Sequence, residues 1–160
     1  MERGDLPPFH HSNIPAAGRI LAVDWGERRI GLALSDETQV LAQPLTTLTR
    51  RAGKRFPMAQ LLQVISKHDV VGIVVGLPLD ASGAEGDAAH SARALADDIK
   101  RRVGDDLEVQ MWDERMTTAR ILGAIREMGG TTRGRKEEVD AMAAALLLQH
   151  YLDSRKGTAL

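Results

Sequence analysis

Cysteine is absent from the 160-residue chain. That excludes disulfides, a thiol nucleophile, and cysteine-ligated zinc or iron–sulfur centres, and it fits a reducing compartment. Aromatic residues are scarce, with two Trp, one Tyr and two Phe, which argues against a platform that grips bases by extensive stacking. No apolar run approaches the roughly 20 residues of a membrane span. The N-terminus lacks the basic, apolar, small-residue order of a signal peptide. Net charge is nearly absent too. The 21 Lys and Arg against 22 Asp and Glu leave −1, so global electrostatics neither announce nor exclude a polyanionic partner. A soluble cytoplasmic protein with no membrane association is expected.

The length suits one full core and is short for two ordinary domains. Charge is unevenly written along it. Basic clusters stand at Arg50–Arg55, Lys100–Arg102 and Arg133–Lys136, with the acidic pairs Asp97-Asp98 and Glu137-Glu138 between and beside them. Each cluster taken singly reads as a solvated loop or helix end.

Met1–Gly18 holds three prolines and two glycines without periodicity and reads as a flexible tail. Its adjacent His10 and His11 suit such a tail better than a metal site. The ordered domain is expected over 19–154, with a short C-terminal tail over 155–160. Ile20–Trp25, Arg29–Ser35 and Val40–Leu48 are short apolar runs separated by turn-length gaps, which predicts an antiparallel meander. Phe56–His68 has helical apolar spacing. Val70–Gly76 is a nearly continuous β-branched run, as in a strand covered on both faces. Leu77–Asp87 is a loop, and Ala88–Val103 is an amphipathic helix. Leu107–Asp113 alternates as a strand does. Thr117–Met128 reads as a helix with Thr117 as N-cap, and Glu137–Asp153 as a final alanine-rich helix. The order βββαβαβα predicts an α/β domain with a mixed five-stranded sheet flanked by helices.

Three carboxylate positions resist explanation as solvated charges. Asp24 sits late in the first apolar strand, where unpaired burial is costly. Asp113 and Glu114 come as the strand LEVQMW ends. Asp140, on its helix, shares a stripe with Ala144, Leu147, Leu148 and Tyr151. Carboxylates gathered at strand ends stay ionised only near compensating positive charge, which Mg²⁺ or Mn²⁺ supplies through oxygen ligands. Two such ions can activate water and stabilise a leaving oxygen across a phosphodiester. Each residue also has a structural alternative. Asp24 before Gly26 could open a tight turn, Asp113 or Glu114 could cap a helix, and Asp140 could serve its own helix dipole. The three together favour a metal-dependent phosphodiesterase site. Around it, backbone amides near Gly76 and Leu77 are candidate phosphate contacts. Arg28, Arg115, Arg120 and Lys136 are candidate nucleic-acid contacts, since guanidinium matches phosphate bidentately. An intrahelical ion pair is the alternative for Arg115 and Arg120, and a solvated loop the alternative for Lys136.

The stretches AVDWGERRIGLALSD (Ala22–Asp36), GIVVGLPLDASG (Gly72–Gly83), WDERMTTARI (Trp112–Ile121) and RKEEVDAMAAALLLQHYL (Arg135–Leu152) closely resemble the YqgF family, also called RuvX. The resemblance runs from about Ile20 to Asp153. It implies a ribonuclease H-like fold and a nuclease using acidic residues with divalent metal. The activity implied is maturation of the 5′ end of precursor 16S ribosomal RNA, within ribosome biogenesis. Holliday junction resolution is the alternative suggested by similarity to RuvC. On matching positions, Asp24 is the central ligand shared between metals, Glu114 the second carboxylate and Asp140 the helix-borne third, with Asp113 as the alternative to Glu114. Trp25 stands where the family has varied apolar residues, and the tail before Ile20 lies outside the pattern.

Four functions compete on these residues. A processing nuclease would hold RNA by backbone and shape, as a monomer or homodimer. A junction-resolving deoxyribonuclease predicts a symmetric dimer, for which no segment offers a clear interface. Nucleotide binding of the actin and sugar-kinase kind needs a second domain. A catalytically silent nucleic-acid-binding protein would have no use for Asp24, Glu114 and Asp140 together.

Overall fold

The computed structural model describes residues 13–50, 56–79, 82–113 and 136–158. In chain order the elements are β1 (Arg19–Asp24), β2 (Arg29–Ser35), β3 (Ala42–Thr49), α1 (Met58–Lys67), β4 (Val70–Leu77), α2 (Asp87–Val103), β5 (Glu108–Asp113) and α3 (Lys136–Thr158). A 3-10 turn at Gly104–Asp106 leads into β5. The helix expected over Thr117–Met128 lies outside the described residues. The strands form one mixed sheet ordered β3-β2-β1-β4-β5. The β1–β2 and β2–β3 pairs are antiparallel, and β4 runs parallel to both β1 and β5.

The central strands β1 and β4 are the most apolar and are buried almost throughout. Their side chains alternate between two cores. Leu21, Val23, Ile73 and Val75 pack with Leu61 and Ile65 of α1 and with Ala92, Leu95 and Ile99 of α2. Ile20, Ala22 and Val74 pack with Ala143, Ala144, Leu147 and Leu148 of α3. Helical spacing of three and four puts those apolar residues on one stripe of each helix. β3 is an edge strand that tolerates Pro44 beside a register shift, since an edge proline removes no ladder hydrogen bond that the sheet needs.

The segment before β1 is where the structure differs from the tail expected through Gly18. Ile14 is 3% exposed and belongs to the α3-side core. The reason lies on β4, where Gly72 leaves a notch. A Cβ there would come within 2.6 Å of the Ile14 side chain. Arg155 of α3 donates to the Ile14 carbonyl at 2.8 Å, and Gln39 donates to the Pro15 carbonyl at 2.8 Å. The Gly18 N–H is bound by the Glu37 carbonyl at 2.7 Å. One isoleucine in a Pro- and Gly-containing stretch carries no periodic signal, so sequence reading passed over it.

The turn between β2 and β3 is organised by Asp36. Its carboxylate accepts the Leu41 and Val40 N–H groups at 3.0 and 2.8 Å and the Thr38 hydroxyl. The Leu41 N–H, then the Thr38 hydroxyl, hold its pKa well below the usual carboxylate range.

Two outcomes follow from this packing. Ile14→Ala should lower stability by about 2–4 kcal/mol, the usual effect of truncating a buried isoleucine, in urea denaturation monitored by circular dichroism. Asp36 is depressed in the folded state, so its ionised form stabilises above the range where an unfolded aspartate titrates. That contribution is lost as pH falls through and below the range. Stability measured from neutral pH down to about pH 3 should therefore fall less steeply in Asp36→Ala than in the parent protein.

Candidate active site

β1, β4 and β5 run parallel, so their C-terminal ends share one edge of the sheet. Ligands of open α/β sheets collect outside such an edge. Asp24 ends β1 there and is 4% exposed. Strand alternation gives it the face of Ile20 and Ala22, which is the α3 side.

Its antiparallel partner on β2 is Gly31. Directly paired Cβ positions lie about 5 Å apart on one face, and a Cβ built on Gly31 would run into the Asp140 carbonyl. The missing side chain lets α3 settle onto β2 and brings Asp140 alongside Asp24. Asp140 is completely buried, on the stripe it shares with Ala144, Leu147, Leu148 and Tyr151. Two of the three carboxylates singled out in the sequence thus lie toward one edge and on one face.

Asp140 finds its compensating charge within the protein. Arg29 Nε donates to Asp140 Oδ2 at 2.6 Å, and the arginine side chain is 23% exposed. A carboxylate buried without such a partner would cost several kcal/mol. Arg29 opens β2 two positions before Gly31 and so projects from the same face. Sequence reading chose its neighbour Arg28, which lies exposed in the β1–β2 turn with its carbonyl accepting the Arg50 N–H at 2.7 Å. Counting back by twos from Gly31 would have found Arg29.

The oxygen-only chemistry of Asp24 and Asp140 fits a hard divalent cation such as Mg²⁺ or Mn²⁺. Among the described residues no group of three or more His, Asp or Glu comes together as a metal cluster. Glu114, Arg115 and Arg120 lie outside the described residues, as do His10 and His11. Lys136 is the first residue of α3. Asp113 is described. It pairs with Leu77, while Trp112 beside it joins the α3-side core, so alternation turns Asp113 to the opposite face from Asp24. Gly76 lies in the strand as expected, and Leu77, expected to open the loop, lies in the strand too. β4 extends through both, paired with Trp112 and Asp113 of β5. The glycine and proline that suggested an early strand exit are accommodated because the strand ends one residue before Pro78.

Residues 18–154 match the RuvX family, whose description is Holliday junction resolvase. A Koribacter versatilis protein named "Putative pre-16S rRNA nuclease" is 44% identical over 138 residues, covering 86% of this chain and 88% of the relative. A Paramagnetospirillum magneticum protein of the same name is 39% identical over 141 residues, covering 88% of this chain and 89% of the relative. Thermus thermophilus RuvC, solved in complex with a Holliday junction substrate, aligns with a TM-score of 0.52 at 16% identity. The alignment covers 88% of this chain and 97% of RuvC. The mixed five-stranded sheet with helices on both faces is the ribonuclease H-like fold of RuvC. With the match running from the end of the N-terminal segment well into α3, the chain belongs to the RuvX family.

Proposed function

We propose that the chain is a metal-dependent nuclease that hydrolyses phosphodiester bonds in the 5′-end maturation of precursor 16S ribosomal RNA in the cytoplasm. The observation that carries this reading is the convergence of Asp24 and Asp140 on one face beside Gly31. The names of the relatives support the choice of substrate.

Asp24, Asp140 and Glu114 hold the metal. The outward-alternating position of Asp113 favours Glu114 over it as the ligand from this stretch. Bound there, Mg²⁺ or Mn²⁺ supplies Lewis acidity and lowers the pKa of a coordinated water. The chain's own residues do the rest. Asp24 is fixed by the β1 ladder and Asp140 by the buried stripe of α3, so both oxygens are positioned before substrate arrives. Arg29 is bonded to Asp140 and, being partly exposed, has guanidinium surface left at the rim for a phosphate. Arg28, Arg115, Arg120 and Lys136 contact the nucleic-acid backbone. Holliday junction resolution is the second reading. It is favoured by the family's description and by the shared fold of RuvC.

Cleavage of a labelled precursor rRNA leader and of a four-way DNA junction, each with Mn²⁺, Mg²⁺ or chelator, separates these readings. RNA cutting that needs metal and falls by about 10²-fold or more in Asp24→Asn is expected. Junction cutting alone would move the assignment to the resolvase, and RNA binding without cleavage of either substrate would leave a binding protein. Gly31→Ala should lower the same cleavage by about 10²-fold, the effect of an ångström-scale displacement of a catalytic group, while far-ultraviolet circular dichroism stays that of the parent.

A further inference from the structure

Asp24 and Trp25 are consecutive, so their side chains leave the end of β1 on opposite faces. Trp25 packs against the α1/α2-side core. Beside it lies a cavity of about 640 Å³ lined by Trp25, Arg50, Phe56, Asp98, Arg101 and Arg102, among others. That volume is within the range of ligand sites, roughly 300–1,000 Å³. The cavity runs along α2 from Ser91 to Arg102, about 16 Å of helix at the usual rise.

Arginine stands at both ends of this track. Arg50 follows β3 near the Asp24 edge, its guanidinium carbon 4.9 Å from the centre of the Trp25 ring. Its Nε donates to the Glu27 carbonyl at 2.9 Å. Ring and carbonyl together hold the cation in one orientation. Arg101 and Arg102 are exposed in the last turn of α2. Among the described lining residues Asp98 is the one acid, and it pairs with Arg101. The helix dipole alone accounts for cations at the end of α2. It does not account for Arg50, which comes from a different element and faces the same cavity.

We propose that this cavity is a second nucleic-acid site, which holds a single strand of the substrate by its phosphodiester backbone as the strand leaves the Asp24 edge. A volume of about 640 Å³ is far smaller than a duplex segment of the same length, so the cavity suits one strand. Phe56 and Trp25 give the sugars and bases an apolar wall, while the arginines neutralise phosphate. The assignment of the strand as substrate rests on the nuclease reading, but the binding it predicts does not depend on cleavage.

The test uses the full chain with chelator and a fluorescein-labelled RNA of about 12 nucleotides, with anisotropy read across a salt series. Arg101→Ala/Arg102→Ala should weaken binding about tenfold or more. It should also reduce the slope of log affinity against log salt by roughly 1.4, at about 0.7 per single-strand phosphate contact. Lys156→Glu on α3 makes the same change in net charge on the opposite face and should leave both nearly unchanged. Equal weakening by the two variants would overturn the proposal. In Trp112→Phe, Trp25 is the sole tryptophan, and its emission should change on RNA addition. No change, or displacement of the RNA by poly-glutamate at equal charge, would also overturn it, the latter in favour of an acidic protein partner. Cleavage assays separate the two readings. Binding that depends on Arg101 and Arg102 in a protein that cuts nothing would keep the groove and remove the nuclease. Cutting with binding indifferent to those arginines would do the reverse.

Discussion

The closest constraint in the molecule is the approach of α3 to β2 over Gly31. No side chain fits between that residue and the Asp140 backbone, and the neighbouring contacts are between small residues, Ala22 and Ala33 below and Ala143 and Ala144 above. Dispersion falls off steeply with distance, so small residues on both partners allow the largest contact per unit of helix. The same closeness places a helix-borne carboxylate beside a strand-borne one. Packing of the α3-side core and assembly of the site are thus one event.

Electrostatics set the terms on which that event is tolerable. Asp140 enters the core with Arg29 attached, a charge-assisted bond at the rim that leaves part of the guanidinium in water. Elsewhere charges stay at the surface and do local work. Glu85 binds Arg93 through two oxygens, and that hydrogen bonding lowers the pKa of the glutamate and raises that of the arginine. Exposed pairs of this kind contribute little to stability. The buried pair at the sheet edge is the one that shapes the fold.

Much of this was legible in the chain. The short apolar runs of β1 and β2, the β-branched run of β4 and the three-four spacing of α2 are strong signals, and each became the element it suggested, with ends shifted by a residue or two. The inward turn of Asp140 followed from its stripe. What was not legible depended on tertiary matching. Ile14 is buried because Gly72 leaves a notch for it, and nothing local to either residue says so. Arg29 and Arg28 are chemically identical neighbours, and only the face assigned by the ladder distinguishes them. Leu77 read as the start of a loop, but parallel pairing with β5 held it in the sheet.

Asp24 and Trp25 also act together as a lock on register. A strand displaced by one residue exchanges its faces completely. For β1 such a slip would drive the Asp24 carboxylate into the apolar core of Leu61, Leu95 and Ile99 and send the indole toward the α3 side. Burying an unpaired carboxylate is among the costlier errors a fold can make, so misregistered chains are penalised most at the position where function needs accuracy. A carboxylate at the end of an apolar strand thereby narrows the set of structures the strand can adopt.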